Sequence, residues 1–356
     1  MKITGIETKI IRAPLKKPFK TALRTVNAIE DIAVLVHTDE GLTGWGEAAP
    51  TAVITGDIIP SIEGAVMGPI SAALTGRPLE DFDGLMVALH GAIIKNTSAK
   101  AAVDMALYDL RAKSLNIPLY KLLGGHREKL RTDFTVSLND PATMLIDAIE
   151  AVEEGFDILK IKTGKNPDLE VRTIREIRSK VGPDVVFRID PNQGWTPKEA
   201  VRAIKAMEDA GCDIEFVEQP VHAHDLEGLR FVTERTYTPI LADECVFSPE
   251  DAETVIRTGA ADYLNIKLMK TGGIYQALKI CALAETHRIK CMIGCMLESK
   301  LSVSAAAHLA AAKSIIAFAD LDGPAMCAVD PIVGGPVFSG PDILMTGDPG
   351  LGASVK

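Results

Sequence analysis

The segment ILKIKT at residues 158–163 is a short apolar strand that carries two lysines near its C-terminal end, and strands of similar length recur along the chain. From about Arg131 onward, such strands alternate with amphipathic helices, which is typical of a parallel sheet. Eight strands can be identified in this way. They are DFTVSL at 133–138, ILKIKT at 158–163, VVFRID at 185–190, IEFVEQ at 214–219, PILADE at 239–244, YLNIK at 263–267, CMIGCM at 291–296 and IIAFAD at 315–320.

The connections between these strands favour a closed barrel. Helices open at Pro, Asp or Gly positions such as Asp140-Pro141 and Thr196-Pro197. Eight strands with seven helices predict the α/β class, a modified TIM barrel of (β/α)7β form over residues 126–322. An open doubly wound sheet would need a Gly-rich phosphate turn after its first strand, and the sequence VSLN at 136–139 is not one.

The first third of the chain, residues 1–125, mixes strands and helices and predicts a separate α+β domain that ends at Gly124-Gly125. We predict strands at 3–11 and 31–37, a hairpin turn and return strand at 39–47, and helices at 60–74, 82–93 and 98–115. A basic loop is predicted at 16–27. The tail at 323–356, rich in Gly and Pro, is too irregular for an eighth helix, and we expect it to cross back onto the first domain.

Composition excludes several classes of protein. The 38 Lys plus Arg residues against 48 Asp plus Glu give a net charge of −10, which argues against a nucleic-acid binder. A hydrophobic fraction of 47% and a charged fraction of 24% are typical of a globular protein. We find no signal peptide and no apolar stretch of about 18 residues, so we expect a cytoplasmic protein without a membrane segment. The six cysteines form no C-x-x-C pair and are expected to be reduced.

Charged residues cluster at the predicted strand ends, where barrel enzymes carry their chemistry. Asp190, Glu218 and Asp243 end three successive strands. Three carboxylates brought together in this way predict a site for a hard divalent cation with oxygen ligands. Magnesium fits best, because it leaves positions open for water and substrate, and none of these three strands ends in the His or Cys that zinc favours.

Lysines are predicted on both flanks of this acidic centre. Lys160 and Lys162, two residues apart on one strand, point to the same side, and Lys267 lies on the other flank. A lysine acts as a base only when neutral, and the ammonium group of Lys160 would lower the proton affinity of Lys162. Two bases that face each other across a carbon can invert it, which predicts an epimerase or racemase whose anionic intermediate is stabilised by the metal ion.

The motifs that carry these residues resemble the enolase superfamily, muconate lactonizing enzyme subgroup. They are Lys160-x-Lys162, Asp190-Pro191-Asn192, Glu218-Gln219-Pro220, Ala242-Asp243-Glu244 and Lys267, in this order. The resemblance covers essentially the whole chain. It implies an α+β capping domain built from the N-terminal third and the tail, Mg²⁺ as cofactor, and a lysine base acting through an enediolate intermediate.

Residues outside these motifs resemble those of dipeptide epimerases. Asp320-x-Asp322 is similar to the Asp-x-Asp pair that holds the substrate's free α-ammonium group, and two carboxylates can cage such a group. Arg24 matches an arginine that pairs with the C-terminal Glu side chain in alanyl-glutamate epimerases. The resemblance also implies substrate contacts from Thr135 and from the strand-seven residues Cys295, Met296, Leu297 and Glu298.

The resemblance implies an isomerase, a Mg²⁺-dependent epimerase that inverts the C-terminal residue of L-Ala-L-Glu or L-Ala-D-Glu. Lys162 and Lys267 would be the two bases, with Lys160 tuning Lys162. Family alternatives are epimerases of apolar or cationic dipeptides, N-acylamino acid racemases and muconate-type cycloisomerases. A Schiff-base barrel enzyme and an idle dipeptide- or metal-binding protein also remain open. A homo-oligomer is expected, since barrels of this kind often assemble.

Overall fold

The computed structural model describes all 356 residues, Met1–Lys356, and begins with a three-stranded antiparallel sheet followed by helices. The elements are β1 (Ile3–Lys20), β2 (Thr25–Thr38), β3 (Thr43–Ala48), α1 (Ile59–Ala65), a π-helical segment (Val66–Ile70), α2 (Ser71–Leu74), α3 (Phe82–Gly91), α4 (Thr97–Ser114) and α5 (Leu119–Leu122).

The predicted loop at 16–27 is wrong for most of its length. Strands β1 and β2 continue into it and pair through Phe19–Val26 and Lys20–Thr25, so only residues 21–24 form the turn. The one proline of this segment, Pro18, is compatible with pairing because β1 is an edge strand, where a missing N–H costs no ladder hydrogen bond on the open side. A register shift between Pro14 and Phe19 accommodates the irregularity.

The second part of the chain is the predicted barrel. After β4 (Lys129–Arg131) come the eight parallel strands β5 (Phe134–Val136), β6 (Ile158–Lys162), β7 (Val186–Asp190), β8 (Ile214–Glu218), β9 (Ile240–Ala242), β10 (Tyr263–Lys267), β11 (Cys291–Gly294) and β12 (Ile316–Asp320). They lie side by side in sequence order. The Asp133 N–H donates to the Ala319 carbonyl at 3.4 Å and links the first strand to the last, so the barrel prediction is confirmed.

Helices connect these strands and set the direction of every strand end. They are α6 (Pro141–Glu153), α7 (Pro167–Val181), α8 (Pro197–Asp209), α9 (Leu226–Thr233), α10 (Pro249–Thr258), α11 (Leu268–Thr271), α12 (Ile274–His287) and α13 (Lys300–Ala312). The start of α6 is capped by Asp140, whose side chain accepts from the Thr143 N–H at 3.1 Å. At α8, Thr196 and Glu199 form a capping box. Because the eight strands are parallel, they all end at the same edge of the barrel.

The C-terminal tail adds short elements against the rest of the chain. They are α14 (Gly323–Met326), β13 (Ile332–Gly334), β14 (Val337–Ser339), β15 (Asp342–Leu344) and β16 (Ala353–Val355). Strand β15 pairs with β4. The Leu351 N–H donates to Asp109 on α4 at 2.7 Å, and the other oxygen of Asp109 accepts from the Trp45 N–H at 2.9 Å. Asp109 thus joins the tail to the N-terminal sheet.

One apolar core runs through both parts of the molecule. A single cluster of 88 buried residues includes side chains of the N-terminal sheet, helix α4 and the barrel helices. Strand β3 lies directly on α4, where a Cβ atom at Gly46 would come within 1.9 Å of the Ala102 carbonyl oxygen.

None of the helices combines the length and the apolar character needed to cross a lipid bilayer.

The Asp109→Ala variant tests how much the tail depends on this junction. Three donors, the backbone N–H groups of Trp45 and Leu351 and the ammonium of Lys113, would lose their acceptor. We expect the free energy of unfolding to fall by about 3 kcal/mol in urea denaturation. Proteolysis should also cut the tail first. The control, Asp168→Ala on the exposed face of α7, should change neither measurement, and a stable tail in Asp109→Ala would contradict this account.

Candidate active site

A cavity lies at the carboxyl ends of the barrel strands and is covered by the N-terminal sheet. Its barrel lining consists of Thr135, Lys160, Lys162, Asn192, Asp243, Glu244, Lys267, Cys295, Met296, Leu297, Asp320 and Asp322. Its cover consists of Phe19, Thr21, Leu23, Arg24, Val53 and Ile54. Most residues identified at the sequence level therefore lie in this cavity, while Asp190 and Glu218 lie buried beside it.

The backbone turns sharply after two of these strands. Asn192 and Gln219 have φ angles of 43° and 33°, in the left-handed region that non-glycine residues rarely adopt. These turns lead the chain away from the barrel while the last side chains of β7 and β8, Asp190 and Glu218, stay inside. The Gln219 side chain also accepts from the Asp243 N–H at 2.9 Å, which ties the end of β8 to that of β9.

On one flank, two lysines of β6 pair with carboxylates. The Nζ atom of Lys162 lies 2.6 Å from Asp190. The Nζ atom of Lys160 lies 3.2 Å from Asp190, 2.7 Å from Glu218 and 2.7 Å from Asp320. Lys160 is only 1% exposed, so three carboxylates compensate its charge inside the barrel.

On the opposite flank, Lys267 pairs with Asp243 at 2.7 Å. Lys270 approaches the same carboxylate at 2.5 Å and is fully buried. Sequence reasoning missed Lys270 because it lies on the short helix α11 after the strand end. The Asn265 amide donates to Glu218 at 2.9 Å and fills the space between the two flanks.

Electrostatics at this centre reflect crowded charge. Burial lowers the pKa of Lys160 and Lys267, but the neighbouring carboxylates outweigh burial and hold both values above the usual range. Burial and the charge of Asp190 raise the pKa of Glu218 to about 7. Burial and the charge of Asp243 raise the pKa of Glu244 to about 8. The carboxylates of this centre thus carry more negative charge than the lysines compensate.

The centre offers oxygen ligands that suit a hard cation. Glu244 Oε2 and Asn192 Oδ1 are buried without a hydrogen-bond partner, next to the carboxylates of Asp190, Glu218 and Asp243. Oxygen-only donors with unsatisfied negative charge fit Mg²⁺ and do not fit a metal that prefers sulfur or imidazole. The donor set present is thus chemically appropriate for such an ion.

A second acidic group lies at the junction of β5 and β12. One oxygen each of Asp133, Asp320 and Asp322 lies within 4.8 Å of the others. Asp133 is fully buried and already pairs with Arg188 at 2.8 Å, whereas the Asp190 group lies between the lysines of the two flanks, so we consider the Asp190 group the better metal site. Asp322 accepts from the Thr135 N–H at 2.7 Å. Burial and the charge of Asp320 raise the pKa of Asp322 to about 6, which favours a cation beside it.

The covering hairpin brings an arginine and apolar side chains to the cavity. The Nη2 atom of Arg24 donates to the Met296 carbonyl at 2.6 Å. The ring of Phe19 lies 5.9 Å from Lys162 Nζ. Val53 and Ile54 were missed at the sequence level, because apolar residues after a strand have no chemical signature.

The segment that follows β11, the seventh barrel strand, contributes residues with different orientations. Cys295, Met296 and Leu297 line the cavity, whereas Glu298 turns away from it. Its carboxylate accepts from the Met296 N–H at 2.7 Å and from the Ser302 hydroxyl. Leu297 has a φ of 100°, a strained conformation for a branched residue, and this kind of strain is concentrated at functional sites.

Comparison with known proteins assigns the chain to a family. Residues 5–124 match the model described as mandelate racemase / muconate lactonizing enzyme, N-terminal domain, and residues 144–356 match the model described as enolase C-terminal domain-like. An L-Ala-D/L-Glu epimerase of Clostridium acetobutylicum is 54% identical over 96% of each chain.

Two solved structures are closely similar. The substrate-liganded complex of the L-Ala-D/L-Glu epimerase from Bacillus subtilis has a TM-score of 0.98 at 51% identity and covers 99% of each chain. The dipeptide epimerase from Enterococcus faecalis, complexed with Mg and L-Leu-L-Tyr, has a TM-score of 0.96 at 40% identity and covers 99% of this chain and 100% of that one. With its barrel and the acidic, lysine-flanked cavity, this chain belongs to the mandelate racemase / muconate lactonizing enzyme family of the enolase superfamily.

Proposed function

We propose that this chain is a Mg²⁺-dependent dipeptide epimerase that interconverts L-Ala-L-Glu and L-Ala-D-Glu by inverting the α-carbon of the C-terminal residue. One observation carries the proposal. Lys162 and Lys267 approach one cavity from opposite sides of an acidic centre, and Arg24 and the Asp320/Asp322 pair open into the same cavity. The similarity to named L-Ala-D/L-Glu epimerases supports the same substrate class.

The two lysines act as a pair of bases on opposite faces of the substrate. A neutral Lys162 or Lys267 accepts the α-proton, and the ammonium group of the other lysine returns a proton to the opposite face. Each lysine is buried and paired with a carboxylate, which holds its Nζ atom in place at the cavity. Lys160, whose charge is held by three carboxylates, lies beside Lys162, and the two ammonium groups share Asp190 at 3.2 Å and 2.6 Å.

Asp190, Glu218 and Asp243 hold the cation in this proposal. Bound there, Mg²⁺ supplies the positive charge that stabilises negative charge developing on the terminal carboxylate of the substrate. The three carboxylates are also the ion-pair partners of Lys160, Lys162 and Lys267. When one of these lysines loses its proton, the centre has one positive charge fewer. A bound Mg²⁺ ion would then compensate the charge of the carboxylates.

The two ends of the dipeptide are recognised by opposite charges. Asp320 and Asp322 accept hydrogen bonds from the α-ammonium group, with Thr135 holding Asp322 in place. This pair disfavours N-acylamino acids and lactones, which carry no ammonium group. Arg24 recognises the side-chain carboxylate of the C-terminal Glu, and Cys295, Met296 and Leu297 lie beside the small N-terminal side chain.

A cytoplasmic location and assembly into a homo-oligomer are part of the same proposal. The six cysteines are all free thiols, as expected in a reducing compartment. The proposal of a homo-oligomer rests on the fact that barrels of this kind often assemble.

The epimerase activity is expected to depend on a bound metal ion. Dialysis against a chelator should abolish both epimerisation and exchange of the α-hydrogen in heavy water, because the crowded carboxylates lose their cation. Added Mg²⁺ should restore both, as followed by mass spectrometry and by NMR of the two diastereomers. Full activity of a chelated protein, with residual metal excluded by elemental analysis, would be incompatible with the proposal.

The two-base arrangement is tested by Lys267→Ala. Epimerisation should fall by about 10²- to 10⁴-fold, since one face of the carbon has no proton donor or acceptor. Exchange of the α-hydrogen should persist for only one of L-Ala-L-Glu and L-Ala-D-Glu, and Lys162→Ala should show exchange for the other. The control is Lys205→Ala on the outer face of α8, which should behave as wild type. Exchange from both diastereomers in Lys267→Ala would rule out this pair of bases.

Substrate choice is tested by Arg24→Ala. The kcat/KM for L-Ala-L-Glu should fall by about 10- to 100-fold, the usual value of a charged hydrogen bond, while that for L-Ala-L-Gln changes little. Arg12→Ala, which removes an exposed arginine of β1, is the matched control. Turnover confined to apolar or cationic dipeptides in the wild type would keep the chemistry but reject the acidic substrate.

A further inference from the structure

Three buried carboxyl residues, Asp31, Glu47 and Glu298, lie near Arg24, and we name them the carboxyl cluster. They are 3%, 0% and 2% exposed and come from β2, β3 and the segment between β11 and α13. The charges of Asp31 and Glu298 both act on the Arg24 guanidinium. The cluster therefore lies beside Arg24, the cation that we assign to the acidic side chain of the substrate.

The three members of the cluster are unequally satisfied. Glu47 accepts from the Ser299 N–H at 2.8 Å, the Ser299 hydroxyl at 2.6 Å and the Ser302 N–H at 2.8 Å, at the start of α13. Asp31 Oδ2 is buried and finds no donor. Three ionised carboxylates around one guanidinium would leave two uncompensated charges in the interior, which is strongly unfavourable. The cluster therefore retains protons.

Those protons reside on Asp31 and Glu298. Burial, together with the charge of Glu47 and a hydrogen bond to it, raises the pKa of Asp31 well above its usual range. Burial raises the pKa of Glu298 to about 7, although its hydrogen bonds to Ser302 and Met296 act against this. The other ionisable groups that face the two residues are Arg24, Glu47, Lys267, Cys295 and Cys327.

Glu298 also fixes the position of the arginine. Its carboxyl group accepts from the Met296 N–H at 2.7 Å, and the Met296 carbonyl accepts from Arg24 Nη2 at 2.6 Å. The strained Leu297 lies between Met296 and Glu298 and packs with Phe19 of the covering hairpin. A short chain of hydrogen bonds thus runs from Glu298 through Met296 to the guanidinium of Arg24. One guanidinium nitrogen, Nη2, is engaged by the Met296 carbonyl.

We propose that Asp31 and Glu298 are positioning residues that set the selectivity for an acidic C-terminal side chain. They hold Arg24 against the Met296 carbonyl and, by staying protonated, leave its positive charge available to the substrate carboxylate. The inference rests on the proposed function, because it concerns the same substrate. As the pH rises, the two residues ionise and add negative charge beside Arg24, so binding of an acidic side chain weakens while binding of a neutral one does not.

The test compares two dipeptides that differ only in this charge. The ratio of kcat/KM for L-Ala-L-Glu to that for L-Ala-L-Gln is measured from about pH 6 to about pH 9 with saturating Mg²⁺. Titration of the catalytic lysines affects both substrates and cancels in the ratio. In the wild type the ratio should fall by about tenfold, the size of effect that one extra charge near Arg24 produces.

Asp31→Asn and Glu298→Gln copy the protonated acids in shape and cannot ionise. In these variants the fall should shrink to about threefold or less, while the ratio at low pH stays close to wild type. The control is Asp262→Asn, at the opposite end of the barrel, which should follow the wild-type curve. If Asp31→Asn does not fold, as judged by circular dichroism, Glu298→Gln and the wild-type curve decide.

Two outcomes would overturn the inference, namely a wild-type ratio that stays flat over this range and variants that fall as steeply as the wild type. Both are seen only in an enzyme that epimerises L-Ala-L-Glu, so the proposed function would survive them. A wild-type protein that exchanges no α-hydrogen in L-Ala-L-Glu would instead reject the proposed function and the inference with it.

Discussion

The structure depends on burying charge at one end of the barrel. Four lysines, Lys160, Lys162, Lys267 and Lys270, face six carboxylates there, and all ten residues are at most 6% exposed. The carboxylates are those of Asp190, Glu218, Asp243, Glu244, Asp320 and Asp322. Each carboxylate taken from water alone would cost several kcal/mol, so the groups are stable only as a mutually paired network. The excess of carboxylates leaves the network short of positive charge. A divalent cation and a substrate ammonium group are the two ligands that would correct this shortage, and both belong to the proposed reaction.

Sequence reasoning could predict this network because strand order determines which residues meet. In a parallel barrel every strand ends at the same edge, so a charged residue at a strand end must lie near the others. The same reasoning failed for the hairpin at 16–27, where lysines and a proline suggested a loop although β1 and β2 pair almost to the turn. An edge strand tolerates such residues, and edge position is a property of the folded sheet.

Other features could not be predicted because they depend on side-chain direction and on contacts between distant segments. Glu298 was expected at a strand end like the others, yet it lies four residues after β11, and its carboxyl group turns toward Met296 and Ser302 and away from the cavity. Glu47 caps a helix 252 residues further along the chain. Phe19, Val53 and Ile54 close the cavity with apolar surface that resembles ordinary core in the sequence. The charged residues of the site could thus be predicted from the barrel strands, whereas the residues that cover the cavity belong to the N-terminal part of the chain.

The junctions of Glu47 and Asp109 have a consequence for biosynthesis. The first sheet and α4 leave the ribosome early, but the backbone groups that satisfy their buried acids belong to Ser299, Ser302 and Leu351, among the last residues to be made. Translation adds about 5 to 20 residues per second, so the nascent sheet stays incomplete for many seconds with apolar surface and unpaired acids exposed. The part of the chain that is synthesised first is therefore among the last to be completed, and it has the longest need for chaperone protection during synthesis.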